Sequence, residues 1–143
     1  MIVYIDPVAE QIMTDHAVNT YPSASSGYLF GTNDADGKKI YGALAIDSMR
    51  SGTLNVSASA MQRKAEQYAR ERKWQLLGMY HSCPDKPAMP DSHTATNDTE
   101  LHESHVFISV CHANLKDIRS WVMKSCGRFE EEMILAFRQL HTI

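Results

Sequence analysis

The sequence predicts a mixed α/β domain of the α+β type, and three observations lead there. Apolar runs of strand length alternate with stretches of helical period, giving the order β-α-β-β-α-β-(α)-β-β. A turn rich in Asn, Asp and Gly, Asn33 to Gly37, joins two strands as a hairpin, which argues against a purely parallel sheet. The 143 residues, 43% of them hydrophobic, fit one domain over residues 1–143 with a real core.

Each element has its own signal. Met1 to Ile5 is a short apolar strand. Asp6-Pro7 opens a helix, with Asp6 as N-cap and Pro7 at the first helical position. Val8, Ile12 and Ala17 are expected on its buried side, and Tyr21-Pro22 ends it. Gly27-Tyr28-Leu29-Phe30-Gly31 reads as a buried strand, and Lys39 to Ile46 as its hairpin partner. Ser59-Ala60-Met61-Gln62 has capping-box spacing and opens a helix to about Lys73, with Met61, Ala65 and Tyr68 on one face. Leu76 to Tyr80 is a core strand, and residues 92–103 suit a short polar helix. Val106 to Val110 and Ile118 to Met123 are strands. Glu130 to Leu140 is ambiguous between strand and helix.

Composition narrows the function classes. The net charge is −3, so no broad nucleic-acid footprint is expected. No apolar run approaches the ~18 residues that span a bilayer. The N-terminal MIVYIDPVAEQ lacks the basic flank of a secretory signal. The three cysteines, Cys83, Cys111 and Cys126, do not suggest a disulfide framework, and a reducing cytoplasmic setting is the expectation.

The chemistry concentrates in GMYHSCPDKPAMPDSHTATND, residues 78–98. His81 and Cys83 stand two apart at a strand end and so project to one side. Pro84, Pro87 and Pro90 stiffen the turn that follows. A catalytic zinc needs three protein ligands and an open position for water. The metal lowers the water pKa toward ~7, and a nearby carboxylate takes the proton.

This stretch resembles the JAMM (JAB, MPN) metalloprotease family, and its bacterial branch in particular. The resemblance rests on Gly78, Tyr80, His81, Ser82, Pro84, Asp85, Pro87, Ala88 and Pro90, and on Tyr21-Pro22 followed by the strand Gly27 to Gly31. It implies a mixed, largely antiparallel curved sheet flanked by helices. It also implies a zinc peptidase or isopeptidase that acts on a peptide bond or on the C-terminal tail of a ubiquitin-like protein.

By the same resemblance, His81 stands at the first ligand and Cys83 at the second, where the family has His. Asp91 stands at the serine that supports the oxyanion, and Thr94 at the third ligand, an Asp. Ala24 stands at the general-base Glu, with Ser26 before the glycine. Loss of a general base alone typically costs 10²–10⁴-fold.

Two readings follow. In the first the site is degenerate. The chain then holds no zinc and works as an interaction module for a protein partner, a ubiquitin-like tail or a second copy of itself. In the second, His81, Cys83 and one of Asp91, His93 or Asp98 hold zinc in an altered hydrolase. Asp98 would lie one helical turn past Thr94, about 5.4 Å along the axis.

Several other features have ordinary structural readings. His102-Glu103-Ser104-His105 is one residue short of a zincin helix and reads as solvated surface. Cys111 reads as core, Cys126 as part of a turn, and Glu130-Glu131-Glu132 as a solvated patch. Trp74 and Trp121 read as packing residues. Cys83 as a nucleophile beside His81 lacks an evident orienting acid or oxyanion hole.

Overall fold

The computed structural model describes residues 2–46, 58–90, 103–124 and 127–136. Its strands are β1 (Ile2–Ile5), β2 (Ser26–Asp34), β3 (Gly37–Ala45), β4 (Gln75–Pro84), β5 (Ser104–Cys111), β6 (Asn114–Met123) and β7 (Phe129–Ala136). The helices are α1 (Pro7–Thr20) and α2 (Ala58–Glu71). The strands close into a barrel in the order β1-β3-β2-β4-β5-β6-β7.

This corrects the expected fold. The sheet is not an open, largely antiparallel layer flanked by helices but a closed mixed barrel with two described helices. Closure depends on β1, which pairs in parallel with both β3 and β7 and so occupies what would be two exposed edges. The β4–β5 pair is also parallel. Parallel neighbours need a long crossover, and residues 85–103 provide one.

Strand alternation sorts the side chains onto two faces. The inner cluster draws Val3, Leu29, Ile40, Tyr80, Val106, Ile108, Ile118 and Ile134 from all seven strands. Helix α1 packs on this cluster through Ala9, Met13 and Ala17. The Asp6 carboxylate accepts from the Val8 backbone N–H at 2.8 Å, as an N-cap should. Of the face expected to be buried on α1, Ala17 is buried at 1% exposure, but Val8 is 65% and Ile12 38% exposed, and Ala9 and Met13 take their places. Small Ala9 and Ala17 let the helix sit close to the barrel, with Met13 filling the gap between them.

The second cluster lies on the outer face. Tyr28 and Phe30 of β2 pack against Ala65 and Ala69 of α2, with Met61, Tyr68, Trp74 and Met79 around them. The face predicted for α2 is the one that packs. Trp74 also lies against Gly42, where an added Cβ would stand 2.7 Å from its ring. The helix begins at Ala58, so Ser59 falls inside its first turn rather than at the cap.

A bulge in β4 sets the face of the candidate site. Leu29 pairs with Gly78 and Phe30 with Leu76, so Leu77 is the extra residue. Leu77 joins the inner cluster while Leu76 and Met79 face outward. Beyond the bulge, Tyr80 and Ser82 point inward, and Met79, His81 and Cys83 outward.

Two further readings are corrected. Glu132 is not in a solvated patch but 2% exposed, on the inner face. Its Oε1 accepts from Ser104 Oγ at 2.8 Å and from Ser120 Oγ at 2.9 Å, and Lys38 Nζ donates to Ser104 Oγ at 2.8 Å. Burial pushes the Lys38 amine below its ordinary value, while the Glu132 charge opposes that shift. Cys111, expected in the core, is a free and partly exposed thiol at the end of β5. Cys126 lies outside the described residues, as do most of the expected polar helix over 92–103 and the end of the C-terminal segment past Ala136.

Candidate functional site

The site begins where β2, β4 and β5 lie side by side. Ser26 opens β2 opposite His81 of β4, and His81 is in register with Phe107 of β5. One residue before Ser26 and one after His81, Ser25 and Ser82 clamp the strands together. Ser82 N–H donates to the Ser25 carbonyl at 2.8 Å, and Ser25 N–H donates to Ser82 Oγ at 2.6 Å. β2 and the loop-bearing strand β4 are therefore adjacent.

Ala24 precedes this clamp and is exposed. Its methyl offers no proton acceptor at the position where the resemblance would place the base. Cys83 is a half-buried thiol, not in a disulfide, on the same outward face as His81. The loop after Cys83 is held against the barrel in its first half. Asp85 N–H donates to the Val110 carbonyl at 2.8 Å, Ser109 Oγ to the Lys86 carbonyl at 2.5 Å, and Trp121 Nε1 to the Ala88 carbonyl at 3.1 Å. Tyr21 Oη lies 2.7 and 2.9 Å from the two Asp85 carboxylate oxygens, and that carboxylate raises the Tyr21 phenol above its ordinary value. Asp91, His93, Thr94 and Asp98 lie outside the described residues.

His81 meets a residue that the sequence reading assigned to solvent. Its Nε2 lies 3.1 Å from Nδ1 of His105, which is in β5 and only 5% exposed. The two ring planes are 9° apart, and their centroids are 5.4 Å apart. That separation exceeds the nitrogen–nitrogen distance by about one ring diameter, so the imidazoles meet edge to edge in a shared plane. Phe107 covers His81, with centroids 5.1 Å apart, and Phe129 packs edge-on against His105 at 5.8 Å. Burial in this aromatic setting pushes both imidazoles down to about 4, His105 adding to the effect on His81 and Lys38 to that on His105.

The proton between the rings can be assigned from their partners. His105 Nε2 is buried and has no hydrogen-bond partner among the described residues. A buried N–H without a partner is rarer and costlier than a bare acceptor. The proton of neutral His105 therefore sits on Nδ1 and is donated to His81 Nε2. His81 is the acceptor, and its lone pair at Nε2 is engaged.

This arrangement can be tested against a catalytic zinc. Two imidazole nitrogens facing each other in line would need about 4 Å between them to hold zinc at 2.0–2.1 Å each. At 3.1 Å they span a hydrogen bond instead. Among the described residues no group of three His, Cys, Asp or Glu side chains could hold a metal ion. The described donors do not by themselves fit a catalytic zinc, and no reaction step follows from them.

The fold and the register of this site define a mixed barrel whose loop-bearing strand β4 sits between the antiparallel β2 and the parallel β5. Comparison with solved structures finds this fold in known proteins. The chain is similar to a protein of Desulfitobacterium hafniense solved in solution, with 23% identity, a TM-score of 0.77, and 97% of this chain and 95% of that one covered. It is similar to a solution structure from Salinibacter ruber at 24% identity and TM-score 0.74, covering 96% and 93%. At greater distance it resembles the crystal structure of a JAB1/MPN domain protein from Archaeoglobus fulgidus, at 13% identity and TM-score 0.57, covering 93% and 96%. No family model matches the sequence, and comparison with curated proteins finds no match. No helix among the described residues is long and apolar enough to cross a membrane.

Proposed function

We propose that this chain is a JAB1/MPN-like domain with a degenerate site, a divergent form of the bacterial branch, that acts through protein interaction rather than through zinc-dependent hydrolysis. One observation carries the reading. The His81 nitrogen that would ligate a metal lies 3.1 Å from His105 Nδ1, at hydrogen-bonding distance, and so faces an imidazole instead. The exposed alanine at position 24 agrees with it, since a family-type hydrolase needs a carboxylate there to take the proton of water. An apolar strip on the outside of β1 and β7 adds support for contact with another protein. Register sets Ile2 beside Met133 and Tyr4 beside Leu135, and Ile2, Met133 and Leu135 are exposed.

The test is hydrolysis. The reduced full-length chain, with zinc added, is incubated with isopeptide-linked and peptide-linked ubiquitin-like substrates, with and without a chelator. The reading expects no turnover that the chelator abolishes. Chelator-sensitive cleavage that disappears in both His81→Ala and Cys83→Ser would establish the altered-ligand hydrolase in its place.

A further inference from the structure

We infer that His105 occupies the position at His81 that a metal would take, so that the two imidazoles form a closed, hydrogen-bonded pair and His105 is the residue that keeps His81 from ligating. The inference deepens the proposed reading, because it names the interaction that disables the site, and it stands on geometry separate from the missing base.

Four features of the structure support it. The pair is built by register: Met79 is aligned with His105 and His81 with Phe107 on parallel strands, which brings both histidines to one face. The rings share a plane and are 3.1 Å apart at His81 Nε2 and His105 Nδ1, the geometry of a straight N–H···N bond. His105 has its other nitrogen buried with no hydrogen-bond partner among the described residues, which favours donation from Nδ1 to His81. Phe107 packs on His81 and Phe129 packs edge-on against His105, so each ring is braced by an aromatic neighbour. An incoming metal would have to break this bond and turn His105 aside within an aromatic setting. Buried side chains do not turn freely in a close-packed interior.

A second consequence concerns the neighbouring network. Ser104, the residue before His105, points inward and holds Glu132 and Lys38. Gly78 lies so close to Ser104 that an added Cβ would meet the Ser104 carbonyl at 1.8 Å. The backbone that carries His105 is thus pinned from the barrel interior and from β4. His105 is a positioning residue for His81, held by groups with no part in the site.

The experiment uses long-range nitrogen–proton NMR of the histidine rings in the reduced full-length chain, recorded before and after one equivalent of zinc. The inference expects His81 with its proton on Nδ1, His105 with its proton on Nδ1, and no change in either ring on adding zinc. A His81 proton on Nε2, or zinc-induced shifts of both rings, overturns it. The variant His105→Phe keeps an aromatic ring beside Phe129 and removes the donor. Zinc affinity should rise by about tenfold over the parent, the equivalent of a hydrogen bond that no longer has to be broken. The gain should vanish in His81→Ala/His105→Phe. A folded His105→Phe chain with unchanged zinc affinity overturns the inference. If that variant does not fold, the ring tautomers of the parent decide alone. Hydrolysis by a parent chain whose pair is intact would defeat the proposed function and leave this inference standing. The wrong tautomer in an inactive chain would do the reverse.

Discussion

His81 and His105 make the stability of the chain depend on pH in a predictable direction. Both imidazoles are held at about 4, below their ordinary 6.5, so the folded state favours the neutral rings. As pH falls below 6.5 the unfolded chain takes up protons first. The stabilisation from this pair is complete above about pH 6.5 and is lost progressively toward pH 4. Urea unfolding followed at about pH 7 and at about pH 5 should show a lower midpoint at the lower pH, and His105→Phe should reduce that drop. An unchanged midpoint would contradict the burial of the pair. At this scale the sequence was half legible. His81 and Cys83 at i and i+2 point the same way, and they do so here. His105 was misread because His102-Glu103-Ser104-His105 looks polar throughout. The signal was available in the strand itself. Extending the alternation of Val106, Ile108 and Val110 back to Ser104 puts His105 with Phe107 on the other face, the one that His81 shares.

Among the elements, α1 and the Lys38–Ser104–Glu132 network carry the most testable structure. Met13 is fully buried between Ala9 and Ala17, so Met13→Ala should cost about 2–5 kcal/mol. Val8→Ala, on the exposed face, should stay within about 0.5 kcal/mol. Chemical denaturation of both variants compares the two faces directly, and equal costs would contradict the packing of α1. The error in reading that face has a plain cause. Large apolar residues usually mark the buried side of a helix, but here close approach to the barrel selects alanines, and Val8 and Ile12 are left outside. Glu132 was misread because three consecutive acids look solvated, although a strand sends every second one inward. Removing one partner of a buried charged pair typically costs about 3–5 kcal/mol. Glu132→Leu or Lys38→Met alone should approach that cost, and the double variant should cost less than the two added together. Strictly additive losses in a double-mutant cycle would show that Ser104 does not couple the two charges.

For the whole molecule, the strands and hairpins were legible but the barrel was not. The β2–β3 hairpin is announced by its Asn, Asp and Gly turn, and Gly37 sits there at a φ of 123°. Closure depends on pairings with no local mark, above all β1 against β3 and β7. A four-residue apolar strand at the start of a chain reads the same whether it ends a sheet or closes one. The β4–β5 contact likewise joins segments on either side of the loop, and only that contact brings His105 to His81. The departures at Ala24, Cys83 and Thr94 can be counted in sequence, and alternation gives the face of His105, but its contact with His81 follows only from the β4–β5 pairing. The measurement that tests the account most directly is zinc titration of the reduced full-length chain by calorimetry at neutral pH, with His81→Ala and Cys83→Ser alongside. The parent chain should bind no tight, stoichiometric zinc. One zinc bound tightly per chain, and lost in both variants, would contradict it.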